Sequence, residues 1–278
     1  MTDTDEIFAA LMLLRPWDID RPKIRVGRDR DGGYVMADAL RLSRHLVSAG
    51  IGRETSFDAA LAARGFTIDQ FDHTIEAPPE ALPTATFHCQ GLGPTAAEGM
   101  RTLESIVADR ALGPNEAILK MDIENAEWDV LSAVDGTTLD AFSQIVMEAH
   151  RLERLGDPAY RAKVMASLEN LNKNFTLFHV HANNCSKITR LNRFVTPECL
   201  EMSFIKTDLV KRSELKTIFP TDVDRPNDPK RPEYYLWMFP YIPTDQTSLS
   251  KMKRMHNYRD NMFESIRERL GFSRRKAG

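Results

Sequence analysis

Three stretches of this chain end an apolar run in side chains able to move a proton or hold a cation. The run 117–121 is followed by Asp122, and the run 144–147 by Glu148 and His150. The run 175–181 closes on His181, with Asn183 just beyond. A carboxylate or imidazole so placed can take the proton of a substrate hydroxyl as that hydroxyl attacks an electrophile. Alternatively, Asp122, Glu148, His150 and His181 offer mixed oxygen and nitrogen ligands for Mg²⁺, Mn²⁺ or Fe²⁺, which would lower the hydroxyl's pKa and orient it. One imidazole of the pair His179 and His181 is expected to face such a site, and His181, nearer the strand's end, is taken. Asp122 by itself would serve equally well as a helix N-cap, so the weight rests on the three stretches together.

The elements that must position these residues follow from the pattern around them. Short apolar runs at 46–49, 66–71, 84–89, 117–123, 144–150, 175–181 and 200–205 read as buried strands. Between them lie helical stretches that begin at Ser56 and end at Gly65, cover 102–112, start at Glu124, and cover 159–172. Strands alternating with helices make an α/β, doubly wound, mostly parallel sheet, whose strand carboxyl ends lie on one rim.

That rim would also carry Gly50 and Gly52, after the first strand, and Asp72, after the second. Glycines there let the backbone approach a ligand, and an acid about twenty residues on can accept both hydroxyls of a ribose. Thr55 stands where the third glycine of a pyrophosphate loop would fall. The loop therefore suits a nucleoside without phosphates better than a nicotinamide dinucleotide.

Flanking this body, residues 4–15 form an amphipathic helix stopped by Pro16, and 23–36 form a hairpin turning at Asp31-Gly32-Gly33. Together they make an N-terminal cap over 1–40 of a domain spanning 1–245. The stretch 219–243 holds six prolines and reads as an ordered wrap. Residues 246–278 form a basic tail, helical over 249–270.

Among 278 residues, 42% are hydrophobic and 28% charged, a globular composition. The net charge of −3 is unevenly spread: residues 250–278 carry nine Lys/Arg against three acids, or +6, which leaves −9 for the rest. That acidic body points away from a nucleic-acid partner. The tail either packs on the body or docks on an anionic membrane or polymer. Cys89, Cys185 and Cys199 show no C-x-x-C spacing, which suits a reducing compartment and no thiolate zinc site. Acids rather than bases precede the first apolar run, unlike a signal peptide, and no run reaches membrane-spanning length. A cytoplasmic location is expected.

At this point the chain resembles a family, the S-adenosylmethionine-dependent methyltransferases of the FkbM and methyltransferase-like-24 type. KMDIENAEWDVL is similar to their Lys-x-Asp-Ile-Glu-Gly-Ala-Glu-Trp pattern, and RVGRDRDGGYVM, SAGIGRETSFDAALAARG, FDHT, MEAH, HVHANN and LEMSFIK follow in the family's order. Asn125 stands where the family usually has Gly, a change that a helix start tolerates. The resemblance covers roughly residues 20–240 and implies a seven-stranded class I methyltransferase (Rossmann-like) sheet. It further implies O-methylation of a small molecule, often at a sugar or glycan hydroxyl. Gly50, Gly52 and Asp72 take the cofactor roles. Asp122 lies beside them and joins Glu148 and His150 among the groups that activate the acceptor, while the metal rests on the rim residues alone. Two rivals carry less. A nicotinamide-dependent oxidoreductase lacks its third glycine, and a catalytically silent scaffold has no need of so many rim residues.

Overall fold

The computed structural model describes residues 2–269, with side chains described for 2–257. Seven strands form its central sheet: β1 (His45–Ala49), β2 (Thr67–Phe71), β3 (Ala85–His88), β4 (Ala117–Met121), β5 (Phe142–Ala149), β6 (Phe175–Ala182) and β7 (Leu200–Lys206). Their order across the sheet is β6-β7-β5-β4-β1-β2-β3. From β5 to β3 every pairing is parallel, and β7 runs antiparallel between β5 and β6. The chain thus starts at the centre, builds outward to β3, returns to β4, and builds the other way. This is the doubly wound, Rossmann-like sheet of the class I methyltransferase fold. The switch in direction falls between β1 and β4, where such sheets bind ligands.

The strands read as unbroken apolar runs because both faces are covered. On one face Val47, Leu119, Met121 and Met147 pack with Trp128, Leu131 and Leu168 from the helices Glu127–Ala133 and Pro158–Asn174. On the other, Leu46, Ile68, Ile118 and Val146 meet Phe57 and Leu61 from the helix Ser56–Ala62 and Tyr34 and Met36 from the N-terminal hairpin. The hairpin, Lys23–Val26 paired with Tyr34–Ala37, is pinned by polar side chains of the sheet. Gln144 Oε1 accepts the Ala37 N–H at 2.9 Å, and the Ser203 hydroxyl donates to the Val35 carbonyl at 2.6 Å.

Several expectations need correction. The helix after β4 begins at Glu127, not Glu124, because Glu124 (φ 53°) and Asn125 (φ 87°) adopt left-handed conformations. Asn125 is therefore tolerated as a left-handed turn residue, where Asn is second to Gly, and not as a helix start. The helix expected over 102–112 is shorter, Leu103–Asp109. A hairpin that the pattern did not suggest, Ile188–Leu191 with Phe194–Pro197, turns at Asn192 with φ 52°. Between Ser213 and Gln246 the chain forms neither helix nor strand, as the prolines of the wrap require. The last helix spans Gln246–Arg269; residues 270–278 of the expected basic tail, and side chains from 258 onward, lie outside the described residues. No helix among the described residues is long and apolar enough to cross a membrane.

Candidate active site

Gly50, Gly52, Asp72 and Asp122 line one cleft of about 630 Å³ at the carboxyl ends of β1, β2 and β4. Its floor and walls include Ile51, Phe71, Leu92 and Met100, and its acids are Asp31, Glu54, Asp72, Asp122 and Glu124. Asp72 is fixed by its own loop: Oδ2 accepts the Gly52 N–H at 2.8 Å, and Oδ1 accepts the Thr74 N–H and hydroxyl at 2.8 and 2.6 Å. Burial raises its pKa, but these donors outweigh it and hold the carboxyl below its ordinary value. The two glycines differ in what they need. A Cβ on Gly50 (φ +71°) would sit 1.6 Å from the Asp122 carbonyl oxygen, whereas one on Gly52 (φ +49°) would meet only open space. Gly50 is required by the neighbouring strand's backbone, and Gly52 keeps the cleft open.

Asp122 joins this cleft to a second group of side chains. Its Oδ2 lies 3.4 Å from the Tyr34 hydroxyl and 3.8 Å from Lys120 Nζ, which itself donates to the Gly50 carbonyl at 2.6 Å. Burial lifts the Asp122 pKa to about 6; Lys120 and His150 pull it down and the Glu148 charge adds to it. His150 sits just past β5, with Nδ1 2.9 Å from Glu127 Oε1 and Nε2 3.2 Å from Glu148 Oε2. Burial works against a charged ring there, but Cys199, Glu127 and Glu148 raise its pKa far above the usual histidine value. The ring is therefore an imidazolium at neutral pH. Glu148 is held in turn by Asn183 Nδ2 at 3.1 Å and the Cys199 thiol at 3.5 Å.

Expected residues are thus brought together in part. Asp122, Glu148 and His150 meet, and Asp122 shares the cleft with Gly50, Gly52 and Asp72. His181 belongs to a neighbouring cluster, where Nδ1 and Nε2 each lie 3.2 Å from a carboxylate, Glu201 and Glu233. Neither nitrogen is left for a metal. His179 and His181, two apart on one strand, share a face, so the expectation that one alone would face this side fails. His179 Nε2 bonds Asp224 at 2.7 Å. Tyr34, Lys120, Glu127, Cys199, Glu201 and Glu233 were not singled out as site residues. Lys120 and Glu127 carried a signal, both lying in the most distinctive motif, KMDIENAEWDVL.

No protein-family model matches the chain, and no curated protein does. Among solved structures, the precorrin-6y C5,15-methyltransferase of Geobacter metallireducens GS-15 aligns at 14% identity over 65% of this chain and 98% of its own, with TM-score 0.35. A protein of Agrobacterium tumefaciens described as a predicted O-methyltransferase aligns at 11% identity over 62% and 77%, with TM-score 0.36. The bifunctional kinase-methyltransferase WbdD aligns at 14% identity over 77% and 43%, with TM-score 0.35. These likenesses are loose and carry no argument about activity; the strand order itself defines the fold.

Proposed function

We propose that the protein transfers the methyl group of S-adenosylmethionine to a hydroxyl oxygen of a sugar, glycan or related small molecule. The observation that carries this reading is the cleft at the switch point, with Asp72 and Asp122 at the tips of the two strands that flank β1 and the bare backbone of Gly52 between them. Asp72 Oδ2 keeps a lone pair for a ribose hydroxyl after its bond from Gly52, whereas Thr74 occupies both lone pairs of Oδ1. Phe71, Leu92 and Met100 supply an apolar wall for a base. The five acids, set against Arg53 alone among the lining Lys and Arg, suit a cationic sulfonium and repel a pyrophosphate. The resemblance of KMDIENAEWDVL to the FkbM-type motif supports the same reading.

Bound there, the cofactor would supply an electrophilic methyl carbon. Asp122, ionised above its pKa of about 6, takes the proton that the acceptor hydroxyl gives up. His150 has no free lone pair while protonated and acts as a positioning residue, its charge keeping Asp122 ionised. Glu127 and Glu148 hold that imidazolium in place.

One observation favours a second reading, in which a divalent metal activates the acceptor. Glu127 Oε2 is buried without a hydrogen-bond partner, and ligand atoms of Asp122, Glu127 and His150 lie within 4.8 Å of one another. A metal there would have to displace the imidazolium proton. Calorimetry tests both readings. S-adenosylmethionine should bind the wild-type chain, and Asp72→Ala should weaken it at least about tenfold, with Asp72→Asn between the two. Undiminished affinity in Asp72→Ala would remove the cofactor assignment. Mn²⁺ binding with proton release would establish the metal; no heat at millimolar Mn²⁺ would leave the proton-only site.

A further inference from the structure

The opposite end of the sheet carries a feature of reversed charge. Arg44 directly precedes β1, Phe66 precedes β2, and Leu40 and Arg41 lie on the turn that leads into β1. With Arg21, Pro22, Ile24, Asp38 and Arg64 they enclose a concavity of about 550 Å³. Its four guanidiniums are exposed, and none forms an ion pair among the described residues, whereas arginines such as Arg28, Arg101 and Arg110 face carboxylates. Asp38 is the groove's only acid, so the concavity carries three net positive charges on a body whose net charge is −9.

These side chains are partly pre-set. Arg44 Nη1 donates to the Ser43 carbonyl at 3.0 Å, Arg64 Nη1 to the Ala60 carbonyl at 2.6 Å, and Arg21 Nη2 to the Leu209 carbonyl at 3.5 Å. A guanidinium has five N–H donors, so each of the three retains donors for a second partner. Packing unpaired like charges around one hollow has a small cost in water, under about 1 kcal/mol per close pair. The fold therefore stands without an anion. An anion that entered would meet several forked donors at once, and phosphate matches that geometry bidentately. A single carboxylate would answer one of the three net charges, whereas a phosphate dianion or a pyrophosphate answers most of them. Beside the guanidiniums, the buried rings and methyls of Phe66 and Leu40 form an apolar floor.

We propose that this concavity binds a phosphate-bearing ligand, with the phosphate held by Arg21, Arg41, Arg44 and Arg64 and the adjoining part of the ligand resting on Leu40 and Phe66. It lies at the amino ends of the strands whose carboxyl ends form the cleft, and it does not depend on the methyl-transfer reading. The phosphate comes either on a soluble molecule or on a lipid headgroup, and two probes separate these sources.

The full chain would be titrated with inorganic pyrophosphate by calorimetry in low-salt, phosphate-free buffer, beside a triple variant Arg41→Gln, Arg44→Gln, Arg64→Gln. Both would also be sedimented with vesicles containing phosphatidic acid. Thermal melting followed by circular dichroism checks that the variant keeps its fold, which exposed arginines permit. The expected result is pyrophosphate binding that weakens as salt is added and falls at least about tenfold in the variant. Vesicle binding displaced by pyrophosphate would assign the headgroup, and pyrophosphate binding without vesicle binding would assign a soluble ligand. No binding of either probe by the wild-type chain overturns the proposal. So does binding that the folded variant retains in full.

Discussion

Asp122 lines the cleft and lies beside the buried acid-imidazole group, as does the more exposed Glu124, whose Oε2 is 3.7 Å from His150 Nε2. The charge of Asp122 is decided by opposing neighbours. Burial and Glu148 favour the protonated form, while Lys120 and the His150 imidazolium favour the ionised one, and the balance falls at about 6. A carboxylate with this value is ionised at neutral pH, yet basic enough to hold a proton briefly, as a general base must. Below the midpoint it is protonated, so a reaction that uses it as a base slows as the pH falls through 6. Carboxyl ¹³C titration of metal-free protein, assigned by the signal missing in Asp122→Asn, should show a midpoint near 6. Lys120→Met removes the cation 3.8 Å away and should move that midpoint upward. A midpoint at the ordinary aspartate value of about 4 would deprive Asp122 of its assigned role. Sequence made Asp122 visible because an acid directly follows an apolar run. It could not show Tyr34, Cys199 or Glu201, since no spacing rule connects residue 34 with 122, or 199 with 148, before the sheet is assembled.

At the scale of elements, the loop after β1 separates two requirements that look alike in sequence. Gly50→Ala would force a Cβ against the Asp122 carbonyl at a positive φ. Left-handed strain of about 1–2 kcal/mol and overpacking of about 1–3 kcal/mol would add, so urea unfolding should show a loss of about 2–5 kcal/mol. Gly52→Ala has the φ strain without the clash, so its stability loss should stay near 1–2 kcal/mol, while its methyl enters the cleft. Its expected signature is weakened S-adenosylmethionine binding in a folded protein. Equal stability losses in the two variants would show that both loop glycines answer to packing. The strands themselves were legible from their Val, Ile and Leu runs because each run is short and bounded by turn residues, which separates it from a buried helix. Boundaries were less so. The start of the helix at Glu127 depends on two left-handed residues, Glu124 and Asn125; Asn visits that conformation readily, but Glu before it does not announce the turn. The hairpin Ile188–Leu191 with Phe194–Pro197 escaped because its reversal rests on Asn192 instead of a glycine.

Across the whole molecule, the wrap is the part whose order has the least backbone support. Its six prolines donate no N–H to a ladder, and the segment must be held by side chains. Leu215, Phe219, Leu236 and Tyr241 bury its apolar anchors. Between those anchors it is held by buried acids and amides: Asp224 on His179, Glu233 on His181, and Asn227 Nδ2 on Glu201 at 2.7 Å. The Asn227 carbonyl also accepts the Asp31 N–H at 3.3 Å, which ties the wrap to the lip of the cleft. Asp224 is the central clasp, because one carboxylate serves His179 Nε2 and both the N–H and hydroxyl of Thr221. Burial opposes its charge, and the bonds and nearby histidines overcome that and hold its pKa far below the usual range. Asp224→Ala leaves those buried donors without an acceptor, at about 1–3 kcal/mol for a single unsatisfied group. Because the segment contributes no strand to the central sheet, the loss should appear as local opening. Trypsin cleavage after Lys230, which tracks the open population when reclosing is fast, should quicken at least about tenfold, for a local cost of about 1.4 kcal/mol or more. Urea unfolding of the sheet should shift less than the local opening does. Unchanged cleavage would mean that the apolar anchors alone hold the wrap. The buried acid-histidine pairs would then serve the lip of the cleft and not the attachment of the segment.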